Sequence, residues 1–289
     1  MNQVTRDDVI RMVKAIEVLH NAAGQFLNDS GLKPSSNSQA VLELSTFHPP
    51  ESVETVYSQG TILVEVAADQ LMAFTKTVTE PVQTIAPWSC LRAVIESSAL
   101  ANWLLDPSID AKARVQRSFA FRYEGLSEEA KFLRASKDEP SRNKIISRID
   151  EVEQNALELG YSKIEDKNGK RCGIGQTMPS LTDIITDTLK EEAIYRLLSA
   201  MTHAHPWAVQ QLGFRQIKKE GSPTNLDPGS LSNLKLFEKH LEPPCVASLC
   251  RKAVEVFSKP TISESKLFGW NTERLKGFFN IALSSLRVQ

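Results

Sequence analysis

Apolar residues along this chain recur at helical steps. Between residues 5 and 27, Val9, Met12, Val13, Ile16, Leu19, Ala23 and Phe26 follow one another at intervals of three or four, which places them on one face of a helix. Thr5, with Asp8 three positions on, has the form of a helix-starting cap. From residue 52 the steps resume through Val53, Val56, Tyr57, Gly60, Leu63, Val64, Ala67, Leu71 and Phe74, a run too long for a strand.

Proline and glycine punctuate the rest. Pro81 and Pro87 bracket a turn, and Pro87 suits the first position of a third helix running to Leu105, where Pro107 marks a boundary. A fourth helix is expected over about 109–136. After Pro140, the residues Ile145, Ile149, Val152, Ala156 and Leu159 define a fifth that stops near Gly160. Further helices are expected at about 181–189, 191–205, 231–239, 243–257 and 271–287. The intervening stretches at about 28–50, 163–177 and 220–229 are polar and read as loops. The glycines of 163–177 do not make a nucleotide-cradling loop, which requires a preceding strand, a following helix and a lysine after the last glycine. No sustained strand alternation, internal repeat or long linker appears. The pattern therefore predicts one all-α domain over residues 1–289, of roughly eight to ten helices.

Composition adds little to this. A chain of 289 residues with 41% hydrophobic content can bury a continuous core, and a formal charge of −1 does not mark a protein built to coat nucleic acid. Cys90, Cys172, Cys245 and Cys250 lack zinc-ligand spacing and are expected to be free thiols. His20, His48 and His240 stand apart from one another, so neither a metal site nor a cofactor is expected. With no leader-like start and no run of roughly 20 apolar residues, neither a signal peptide nor a membrane span is indicated, and a cytoplasmic location is expected.

Candidate chemistry is concentrated in residues 192–207, EAIYRLLSAMTHAHPW. Ala193, Ile194, Leu197, Leu198 and Met201 define an apolar face, whereas Arg196, Ser199 and His203 fall at steps of three and four on the other side. Seven positions turn a helix through nearly two revolutions, so Arg196 and His203 are expected to project alike, with Tyr195 and Thr202 flanking them. Pro206 ends or kinks the helix just beyond. The partial negative charge of a helix C-terminus favours an imidazolium at His203, which suits proton transfer.

An arginine and a histidine at this spacing on a late helix of an all-α chain resemble the HEPN superfamily (higher eukaryote and prokaryote nucleotide-binding). The span YRLLSAMTH, with WLLDP upstream, also looks like uncharacterised bacterial proteins of HEPN-like type. The resemblance covers about residues 87–214, leaving 215–289 as C-terminal helices packed on that core. It implies a homodimeric, metal-independent ribonuclease of stress or phage defence. In such an enzyme His203 serves the proton transfer by which a ribose 2′-hydroxyl attacks the neighbouring phosphate, and Arg196 holds the developing charge, with Tyr195 and Ser199 in support. The alternative is a non-catalytic helical interaction or sensor protein with a protein partner, in which the same residues are structural.

Two further features bear on the choice. Arg92 and Glu96, four apart in LRAVIE, read as a buried strut to the next helix that also lines the site if the chemistry holds. Charge is uneven: residues 35–75 carry five acidic side chains and no Lys or Arg, whereas 110–148 carry ten basic against six acidic. That basic hairpin offers a path for an RNA backbone, and the acidic half a face for a partner or second copy.

Overall fold

The computed structural model describes residues 4–31, 33–216, 237–239 and 241–286. Among these residues the fold is all-α, eleven helices with two short antiparallel strand pairs. Helix α1 (Arg6–Asp29) opens on the expected capping box, in which Thr5 and Asp8 satisfy each other's backbone donors, and it buries the seven apolar residues that carry its period. Helix α2 (Gln39–Thr46) lies where only a loop was expected. Ser38 caps it, its hydroxyl accepting from Val41 N at 3.2 Å. Only Ala40 and Glu43 of this two-turn element are buried, and one of them is a carboxylate, so no apolar period marks it.

Helix α3 (Pro50–Thr77) and helix α4 (Ala86–Leu104) form the centre. Helix α4 packs against α3 and against four later helices, and it buries residues on almost every side: Leu91, Val94, Ile95, Ser97, Ser98, Ala99, Ala101 and Leu104. Small residues along it let the neighbouring helices approach. Helices α5 (Ala111–Ala135) and α6 (Glu139–Glu158) form a long hairpin that begins beside α3.

The stretch expected as an exposed loop at 163–177 contains a hairpin instead, β1 (Lys163–Glu165) and β2 (Arg171–Ile174). Asp166 closes its turn by accepting from the backbone of Asn168 and Lys170, and Gly169 supplies the positive φ. Strands of three and four residues with a register shift are too short to show alternation in sequence.

Helix α7 (Leu181–Leu189) has the expected bounds. The helix expected over 191–205 is α8 (Glu192–Thr202), and a further short helix that was not expected, α9 (Pro206–Leu212), follows it, because Ala204 turns to positive φ and His205 becomes the N-cap of a new helix with Pro206 in its first turn. A second antiparallel pair joins β3 (Phe214–Gln216) to β4 (Phe237–Lys239). Residues 237–239 are therefore strand rather than the end of a helix; the loop expected at 220–229, the rest of the helix expected at 231–239, and His240 lie outside the described residues.

Helix α10 (Pro243–Phe268) runs eleven residues past its expected end at Phe257, carrying Pro260 inside it. Burial of Val254, Val256, Phe257, Leu267 and Phe268 on both sides of the proline outweighs the backbone hydrogen bond that proline removes. Gly269, in the left-handed region, stops it, and α11 (Thr272–Ser285) returns along α1 and α10. One contiguous apolar core joins residues from α1 through α11. No described helix is long and apolar enough to cross a membrane.

Candidate functional site at the α4–α8 face

Helical spacing sets Ser89, Arg92 and Glu96 one turn apart along α4, and α8 packs across them. The Arg92 Nε donates to Glu96 Oε1 at 2.9 Å, and the Tyr195 hydroxyl donates to the same oxygen at 3.0 Å. The Arg92 guanidinium lies 5.6 Å from the centre of the Tyr195 ring. Its Nη1 reaches His203 Nε2 at 3.0 Å. Above these, Ser89 Oγ and Thr202 Oγ1 are 3.2 Å apart.

Arg92, Glu96, Tyr195 and His203 thus form one cluster joining α4 to α8, while Arg196 and Ser199 stand apart from it. Arg196 is 67% exposed, and its Nε turns back one helical turn to Glu192 Oε1 at 2.8 Å. Ser199 contributes its carbonyl, which accepts from His203 N at 2.9 Å. His203 is the C-cap of α8 rather than a member of its last regular turn. The expected common projection of Arg196 and His203 therefore gives way to two different partners, each found within one turn or across the helix interface. The apolar face also sits differently from expectation: Ala193 is exposed and Tyr195 buried, because α8 turns its tyrosine, not its first alanine, toward α4.

The electrostatics follow from these contacts. Burial alone would lower the Arg92 guanidinium, but the Tyr195 hydroxyl and the Glu96 charge outweigh it, and Arg92 ends above its ordinary value. Burial pushes the Tyr195 hydroxyl up; Arg92 opposes this and Glu96 adds to it. Arginine has no acceptor, so in the observed geometry His203 Nε2 accepts and the ring proton sits on Nδ1. His203 is exposed, and Arg92 is a half-buried cation held from beneath by Glu96 and Tyr195. An oxyanion entering this face meets both.

The Arg92–His203 contact spans 111 positions, and no spacing in the sequence announces it. The strut reading of Arg92 and Glu96 named the right pair, although the helix they brace is α8. Among the described residues no group of three or more His, Cys, Asp or Glu is placed to hold a metal ion. Comparison with protein-family models, curated proteins and solved structures finds no match to this chain.

Proposed function

We propose that this chain is a HEPN-like protein that binds RNA and cleaves it without a metal, with His203 as the proton acceptor and Arg92 as the phosphate clamp. The observation that carries this reading is the arginine–imidazole pair at 3.0 Å, its imidazole exposed and its half-buried arginine braced by Glu96 and Tyr195. A phosphate of the RNA backbone takes the Arg92 Nη1 that His203 now accepts, since a charge-assisted bond to an anion is stronger than one to a neutral ring. His203 Nε2 is then free to remove the ribose 2′-hydroxyl proton. The 2′-oxygen attacks phosphorus, the bond to the 5′-oxygen breaks, and that oxygen takes a proton from water, giving 2′,3′-cyclic phosphate and 5′-hydroxyl ends. The superfamily resemblance adds a homodimer, in which a second copy brings its own α8 to the same substrate.

The test is incubation of the protein with mixed RNA in EDTA, comparing wild type with Arg92→Ala, Arg196→Ala and His203→Ala variants that keep their helical circular dichroism. Wild type should yield cyclic phosphate ends, and His203→Ala should lose about 10²- to 10⁴-fold in rate. Arg92→Ala should lose more activity than Arg196→Ala. Inactivity of the wild type on every RNA tested would turn the assignment to the second reading, a helical interaction protein. That reading has its own observation, an apolar groove of about 400 Å³ between α1 and α11, flanked by the exposed Val18 and Ile281.

A further inference from the structure

The α5–α6 hairpin and the first turns of α3 enclose a groove that the α4–α8 cluster does not touch. Its larger part has a volume of about 800 Å³, with Thr55, Phe119, Arg122 and Asn155 in its walls. A second part of about 460 Å³ shares Thr55 and Arg122 and adds Gln59 and Arg148. Arg122 therefore stands where the two parts join.

Its surroundings are unusual for a half-buried arginine. Arg114 and Arg117 on the same helix donate to backbone carbonyls, and Arg171 nearby meets two carboxylates. Neither Arg122 nor Arg148 forms a hydrogen bond or ion pair among the described residues; Arg122 has only the Phe119 ring, 6.0 Å away. Glu51, Glu129 and Glu158 border the groove, yet none pairs with either arginine. Burial holds the Arg122 guanidinium below its ordinary value, and the charge of Arg148 pushes it the same way. A guanidinium partly withdrawn from water, beside a like charge and without an anion, costs folding stability that a bound anion offsets.

We propose that this groove binds a phosphate-bearing ligand of nucleotide size, gripped by Arg122 and Arg148. Paired guanidinium forks match phosphate oxygens, and one doubly charged group satisfies both cations. Thr55, Gln59 and Asn155 supply hydrogen bonds for the rest of such a ligand, and the groove's volume is within the ordinary range of small-molecule sites. The site is independent of the α4–α8 chemistry. The phosphate belongs either to a free nucleotide or to a strand of RNA, and the measurement separates the two.

The experiment is titration calorimetry of the full chain, in EDTA, with inorganic phosphate, adenosine diphosphate and a short single-stranded RNA. At least one should bind saturably to wild type and about tenfold or more weaker to both Arg122→Gln and Arg148→Gln. Arg148 is exposed, so the second variant tests the site without challenging the core. Adenosine diphosphate binding more tightly than RNA identifies a nucleotide site, and the reverse identifies an RNA path; either supports the proposal. A melting temperature of ligand-free Arg122→Gln equal to or above that of wild type also supports it, since an unpaired cation has been removed. Failure of all three probes to bind wild type, undiminished binding in the folded variants, or a lowered melting temperature in Arg122→Gln would overturn it.

Discussion

Glu264, on α10, shows how one residue's surroundings set a measurable property of the chain. It is 2% exposed, with Thr61 of α3 donating to it at 2.6 Å and the Glu65 charge nearby. Burial raises its carboxyl from an ordinary 4.5 to about 7, against the Thr61 hydrogen bond and with Glu65 adding to it. Between those values the folded chain keeps a proton that the unfolded chain releases. The contribution to stability is complete below pH 4.5, falls as pH rises, and is gone above pH 7. The difference corresponds to about 3 kcal/mol at most. Glu264→Gln, neutral throughout, should therefore gain on wild type by up to that amount between pH 5 and pH 8 in urea unfolding; a constant difference would remove burial as the cause. The opposite case is Arg114, 1% exposed, which pairs with Glu43 and donates to the carbonyls of Asp106 and Ile109 at 2.7 and 2.6 Å. Glu43 in turn accepts from Tyr57 at 2.7 Å. Arg114→Ala leaves that carboxylate buried without its cation and should cost about 3–5 kcal/mol in the same assay.

At the scale of elements, the α3–α4 contact is the most extensive among the described residues, and Gly60 lies in it. A methyl group added there would overlap the side chain of Leu105, which is fully buried. Alanine in place of a helical glycine ordinarily gains about 1 kcal/mol, and overpacking costs about 1–3 kcal/mol, so Gly60→Ala should be neutral to destabilised by about 2 kcal/mol. A stabilised variant on thermal melting would show that α3 and α4 are not so closely held. Sequence reading recovered the elements whose apolar face is wide, α1, α3 and α7, because their period is the same fact as their burial. It missed α2, whose only buried side chains are Ala40 and Glu43, and it ended α10 at Phe257, because packing on both sides of Pro260 carries the helix on past the proline. The candidate site was legible only as residue types. Arg92, Glu96, Tyr195 and His203 were all singled out, but their union depends on how α8 lies across α4, and Arg196 chose Glu192 one turn away over any partnership with His203.

Across the whole molecule, burial is uneven in a way that predicts where the chain opens. Helix α4 is enclosed by α3, α7, α8 and α10 and shares their core. Helix α6, by contrast, packs chiefly on α5, and its only buried side chains, Ile149, Val152 and Ala156, all lie in its C-terminal half. Arg171 ties that same half to β2 through Asp150 and Glu153, so the far end of the hairpin, with Phe132 68% exposed, has little to hold it. Local openings draw on regions with few buried apolar contacts, whereas enclosed helices exchange only when the whole domain unfolds. Hydrogen exchange should therefore show residues 131–146 opening at a lower free energy than the amides of α4, by several kcal/mol. The groove on this hairpin joins its two helices, since Gly125, Leu126 and Glu129 of α5 and Arg148 of α6 line it. A phosphate ligand seated there bridges α5 and α6, and at saturation it should slow exchange at those positions while leaving α4 unchanged. Equal protection of the hairpin tip and α4 without ligand would mean that the chain opens as one unit, and that the hairpin's sparse core is no weaker than the centre.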